Sequence, residues 1–130
     1  MKIEYFDAEG VVDCPLILIY GCEPEAADAL VAAVRALSQE EQKRVAVHEL
    51  PGFESVDKCE LFFTATKSDK GVYFIAPPRS FECSIQPLWW GNVLSLLETF
   101  DWTIASHRHQ YLDYGWYTEF TLIISTDRSW

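Results

Sequence analysis

The residue with the most suggestive position for chemistry is Cys22. It follows the unbroken apolar run Leu16-Ile17-Leu18-Ile19-Tyr20 and precedes Pro24, where a helix is expected to begin. Backbone N–H groups and the helix dipole at such a junction lower a thiol pKa, which is how cysteine nucleophiles and redox thiols are activated. Glu23 and Glu25 flank the position and oppose a thiolate. The other cysteines are Cys14, Cys59 and Cys83, so no pair has the two-residue spacing of a zinc knuckle or a disulfide oxidoreductase. Cys22 is thus the candidate catalytic residue, against the competing reading of a small buried hydrophobe.

A second constellation is His107, His109 and Asp113, the one histidine–acid cluster in the chain. Alternate residues of a strand share a face, so the two imidazoles and the carboxylate could converge on a metal. Arg108 lies between the histidines, and no further histidine or cysteine follows at ligand spacing, so the ligand set is incomplete and no metal is expected. His48 stands alone and reads as a strand surface residue. There is no nucleophile elbow, no glycine-rich phosphate loop and no kinase or hydrolase signature, so no cofactor is expected either.

The third feature is aromatic. Trp89, Trp90, Trp102, Tyr111, Tyr114, Trp116, Tyr117 and Trp130 crowd the C-terminal third. Tyrosine and tryptophan bury large areas while keeping a polar handle, which suits both cores and interfaces. Tyr114, Trp116 and Tyr117 flank an expected turn at Gly115, where a core role is harder to arrange, and they form the candidate binding patch.

The charge is the fourth. The 130 residues carry a formal net charge of −10. Residues 1–65 hold 13 acidic and 5 basic side chains, a balance of −8, and the rest contribute −2. Such a surface repels phosphate backbones and anionic lipid heads, so nucleic acid and membranes are not expected as ligands, whereas a basic protein is an allowed partner. The start of the sequence lacks the apolar run of a signal peptide, and no stretch reaches the roughly 20 apolar residues that span a bilayer. The expectation is a cytoplasmic protein with reduced thiols.

The elements that must position these residues are legible from spacing. At 49% hydrophobic and 15% aromatic, the chain can pack one core and has the length of one domain, residues 1–130. Residues 2–6 and 16–20 read as strands, the second covered on both faces and central in its sheet. Proline at the first turn starts a helix at Pro24, and Leu30, Ala33, Val34 and Leu37 give it one apolar face before it fades at 39–42. A strand follows at 44–48, and strand, helix and strand in that order predict a right-handed crossover. From Cys59 the period is two. Cys59, Leu61, Phe63 and Ala65, then Val72, Phe74 and Ala76, then Phe81, Cys83 and Ile85 mark three strands. Hairpin chemistry at 68–71 and a turn at 77–80 make them an antiparallel meander. A second helix runs over 88–100, with Trp89, Val93, Leu96, Leu97 and Phe100 as its core stripe and Trp90 and Leu94 widening it. Strands at 110–114 and 120–126 end the chain. The predicted fold is α+β, two-layered, with a mixed or mostly antiparallel sheet of about six to eight strands and two helices.

The C-terminal third resembles a pattern found in small bacterial proteins without an assigned activity. It is carried by Trp90-Gly91-Asn92-Val93 with Leu96-Leu97-Glu98-Thr99-Phe100, then Gln110-Tyr111-Leu112-Asp113, then Leu122-Ile123-Ile124-Ser125-Thr126 and Trp130. The resemblance implies a bacterial origin and supplies no catalytic residue.

Two classes of function stay open. The favoured one is a non-catalytic, acidic protein that binds another macromolecule; an immunity-type inhibitor whose acidic face masks a basic toxin site is one form of it. The alternative is a small enzyme or ligand-binding protein that uses Cys22 or the His107 and His109 cluster.

Overall fold

A computed structural model describes residues 1–7, 15–103, 108–112 and 120–130. The chain forms β1 (Lys2–Phe6), β2 (Leu16–Tyr20), α1 (Pro24–Ser38), β3 (Arg44–Ala46), a 3-10 turn (Val47–Glu49), β4 (Glu54–Ser55), β5 (Glu60–Ala65), β6 (Gly71–Ala76), β7 (Ser80–Ile85), α2 (Pro87–Thr99), β8 (His109–Tyr111) and β9 (Thr121–Ser125). No helix among the described residues is long and apolar enough to cross a membrane.

The α+β class stands, with two helices among the described residues, but the single sheet of six to eight strands does not. The strands form two mixed sheets, one of five in the order β4-β1-β2-β9-β8 and one of four in the order β3-β5-β7-β6. β2 is the middle strand of the first, antiparallel to β1 and parallel to β9. With both flanks taken, it has no place for β3, which joins the other sheet beside β5. The helix between β2 and β3 therefore links two sheets, and the predicted crossover within one sheet is not formed.

The antiparallel meander is also corrected. β7 inserts between β5 and β6, parallel to β5 (Leu61 opposite Phe81, Phe63 opposite Cys83) and antiparallel to β6. Residues 66–70 consequently make no hairpin turn but carry the chain past the end of β7. The Thr66 N–H donates to the Ile85 carbonyl at 3.0 Å, and the Lys70 N–H to that of Ser84 at 2.9 Å. Asp69 accepts both the backbone N–H and the side-chain amide of Gln86, each at 2.9 Å, fixing the start of α2. Stepping over one strand spans only about 10 Å, within reach of five residues.

The main core lies between the inner faces of the two sheets and the helices. It takes Ile3, Ile17 and Ile19 from the first sheet, Leu61, Phe63 and Cys83 from the second, and Leu30, Val34 and Leu37 from α1. On α2 the fully buried residues are Trp90, Val93 and Leu97, while Trp89, Leu96 and Phe100 are only partly covered. The stripe is thus centred one position from the one expected. The Trp90 ring lies 4.7 Å from that of Phe63, and its indole N–H donates to the Thr64 carbonyl at 3.0 Å, which satisfies its one polar atom. At the end of α1, Glu40 takes a left-handed φ of 58°. The Glu41 N–H bonds back to the Ala36 carbonyl and that of Glu40 to Leu37, closing the last turn without a glycine.

The outer face of the first sheet holds a second cluster of Leu16, Leu18 and Ile123 with Phe6 and Tyr20. The segment after β9 folds back over it. Trp130 packs on Phe6 at 4.9 Å, and Arg128 grips the Glu4 carboxylate through Nε at 3.0 Å and Nη2 at 2.7 Å. The Tyr20 hydroxyl donates to the same carboxylate at 2.8 Å. The Arg128 hydrogen bonds, offset in part by burial, hold the Glu4 carboxyl below the ordinary carboxylate range, and burial with the Glu4 bond pushes Tyr20 up to about 12.

These shifts fix the sign of the pH dependence. A depressed carboxylate adds stability that is present above the unfolded value and lost as pH falls through the folded one. A raised tyrosine adds stability that is present below about 10 and lost as pH rises toward its folded value. Thermal melts should therefore show a plateau at neutral pH, a fall below about pH 4.5 and another above about pH 10. Glu4→Gln should flatten the acid limb. An acid limb unchanged in that variant would remove Glu4 from the account.

Candidate functional site

Cys22 sits half-buried between β2 and the first turn of α1, and its thiol donates to the Thr126 carbonyl at 3.3 Å. It lines an open cavity of about 540 Å³ with Glu23, Glu25, Pro51 and Gly52. The helix start fits the cavity wall closely: a methyl group on Gly52 would come within 2.9 Å of the Ala26 Cβ. Glu23, Glu25, Asp28, Glu49 and Glu54 are all exposed around this end of α1 and the facing loop. Glu23 pairs with the amino group of Met1 at 2.6 Å. The other four have no ion-pair partner among the described residues. No histidine, lysine or arginine among the described residues lines the cavity. The thiol is held as a donor to a carbonyl, in a cavity wall that also carries the Glu23 and Glu25 carboxylates.

Among the described residues Cys22, Cys59 and Cys83 form no disulfide with one another, and Cys14 lies outside the described residues. Burial pushes the Cys59 thiol up to about 12. A thiol titration under denaturing, non-reducing conditions should count four. Under native conditions Cys59 and Cys83 should resist labelling, and Cys22 should react no faster than a model thiol. Two thiols in the denatured protein, or a fast Cys22, would contradict this description.

Of the metal cluster, His107 and Asp113 lie outside the described residues, as do all three members of the aromatic patch, Tyr114, Trp116 and Tyr117. His109 is exposed on the edge strand β8, opposite Ser125, with Tyr111 edge-on at 6.0 Å. No group of three histidine, cysteine, aspartate or glutamate residues that could hold a metal occurs among the described residues. The first candidate and the β8 strand approach one another at one strand end. Thr126 receives the Cys22 thiol on its carbonyl and donates its own N–H to the Arg108 carbonyl at 2.9 Å.

His48 departs from its expected place. It lies in the 3-10 turn, largely buried, with Nδ1 accepting the Leu61 N–H at 3.1 Å and Nε2 3.5 Å from Glu60. Ser80 donates to the other Glu60 oxygen at 2.5 Å. The order serine–carboxylate–imidazole is not that of a nucleophilic triad, because the carboxylate stands between the hydroxyl and the base that would have to take its proton.

The polar network that sequence reasoning missed is on the outer face of the second sheet. Burial alone would raise the Glu82 carboxyl. Hydrogen bonds from Thr64 at 2.6 Å and Tyr73 at 2.5 Å, with Arg44 at 3.2 Å, outweigh it and hold the group below its ordinary value. Burial and the Glu82 bond raise Tyr73 in turn. Donor and acceptor are thus locked in opposite protonation states, which suits a static network and not a proton shuttle. Arg44 also stacks on Phe62 at 4.0 Å, with His48 edge-on to the same ring at 5.0 Å. Strand alternation puts Thr64 and Glu82 on one face, but nothing in the sequence places β7 beside β5.

Set against protein-family models, curated proteins and solved structures, the chain matches none.

Proposed function

We propose that the protein is a non-catalytic binding protein for a basic macromolecular partner, an immunity-type inhibitor being one form of that activity. The observation that carries the reading is the group of exposed acids, Glu25, Asp28, Glu49 and Glu54, around the first turn of α1 and the loop facing it, which have no ion-pair partner among the described residues. Elsewhere Arg35, Arg44 and Arg128 each meet a carboxylate within 4 Å. Unpaired acids of one sign steer a basic partner and raise its association rate. Tyr114, Trp116 and Tyr117 are the aromatic anchors of this reading, acting on the lifetime of the complex. Cytoplasmic residence belongs to the same proposal, supported by the thiol state of Cys22, Cys59 and Cys83.

The test is capture of partners from the source cell, identification of the bound protein, and binding kinetics at two salt concentrations. Association should slow as salt rises, and Trp116→Ala should speed dissociation. Salt-independent kinetics would remove the electrostatic half of the proposal. A specific observation also favours the ligand-binding alternative, namely the cavity that Cys22 lines. A small molecule carried through purification, with no protein partner, would favour that class.

A further inference from the structure

The two sheets meet through rings. Tyr5 of β1 lies against Phe81 of β7 with centroids 4.8 Å apart. Phe120 closes on both, at 6.0 Å and 5.2 Å, and Phe74 of the edge strand β6 stands against Phe81 at 5.9 Å. These four side chains floor an open groove of about 500 Å³, within the size range of small-molecule sites. Phe74 is 49% exposed, a large ring left in water at the groove's edge.

Two opposite charges complete the groove. Arg79 lines it, and its guanidinium makes only a 3.5 Å contact with the Asp57 carbonyl among the described residues. It has no carboxylate partner there, unlike Arg35, Arg44 and Arg128. Asp7 also lines the groove and accepts the Tyr5 hydroxyl at 2.8 Å, with no cation paired to it among the described residues. In a chain of net charge −10, a guanidinium beside stacked aromatics and a carboxylate, neither with an ion-pair partner among the described residues, is a matched set for a zwitterion with a ring.

We propose that this groove binds a free aromatic L-amino acid. Its ring lies on the aromatic floor beside Phe74, its carboxylate meets Arg79, and its ammonium group meets Asp7. A guanidinium offers a carboxylate two parallel N–H donors, and aromatic pairs favour the offset and tilted packing these rings already show. The site is at the far end of β1 from the cavity that Cys22 lines, so it stands or falls apart from the macromolecular partner proposed above.

The test is titration of the full chain with L-phenylalanine, followed by calorimetry and by backbone amide shifts. Binding should saturate, with shifts centred on Tyr5, Phe74 and Phe81. Arg79→Gln should weaken it about tenfold or more, the usual size of a lost charge-assisted hydrogen bond. Phenethylamine, which lacks the carboxylate, should bind more weakly to the wild type and be insensitive to Arg79→Gln. Phenylpropionate, which lacks the ammonium group, should be insensitive to Asp7→Asn. Phe74→Ala removes an exposed ring, so it keeps the fold intact and should still reduce affinity. No saturable binding of L-phenylalanine, L-tyrosine or L-tryptophan by the folded protein would overturn the proposal. So would binding indifferent to Arg79→Gln.

Discussion

Replacing Trp90 by alanine is expected to cost about 3–5 kcal/mol of folding stability, a large part of what a domain of this size possesses. The indole has no exposed surface, lies against Phe63 and donates to a backbone carbonyl of β5. Its removal leaves a cavity between α2 and the second sheet and takes away the indole's hydrogen bond to the Thr64 carbonyl. Trp89→Ala should cost markedly less, because the Trp89 ring is only partly buried against the core. Denaturant unfolding of the two variants checks this. If Trp89→Ala proved the more damaging, α2 would have to be rotated by one residue relative to the sheet, and the burial of Val93 and Leu97 would change with it.

The second large effect is kinetic. Reversing two exposed charges, with Glu25→Lys and Asp28→Lys together, should slow association with a basic partner about tenfold or more at low salt. Both side chains are exposed on the first half of α1, so the fold should tolerate the change. The difference between variant and wild type should shrink at physiological ionic strength, where the Debye length is about 8 Å. Dissociation should change little, since steering acts on encounter. A double variant that associates as fast as wild type at low salt would move the docking face away from α1.

Much of the local structure was legible. Residues 2–6 and 16–20 are strands with the expected bounds, and α1 begins at Pro24 and ends within a residue of the expected fade. The inward residues Leu61, Phe63, Phe81, Cys83 and Ile85 are all buried, as period two requires. Phe74 is the instructive exception on that face. A register irregularity follows it in β6, and it stands on an edge strand, so the alternation that buries Val72 leaves Phe74 half in water. The candidate sites were less legible. Cys22 was correctly placed at the strand-to-helix junction, but the carbonyl that accepts its hydrogen bond belongs to Thr126, 104 residues away. Arg128 and Glu4 are 124 residues apart, and the groove gathers Tyr5, Phe74, Arg79 and Phe120 from four segments.

The sequence by itself determined which residues become strand or helix and which side of each faces inward. Those properties are set within a few residues by steric periodicity, proline at a helix start and glycine at turns. The tertiary structure alone decided which strands pair. A backbone N–H donates equally well to any carbonyl at the right spacing, so β5 carries no mark that it will lie beside β7 and not β6. The partition into two sheets follows from strand occupancy: β1 and β9 take both flanks of β2, so β3 pairs at the open edge of β5 in the other sheet.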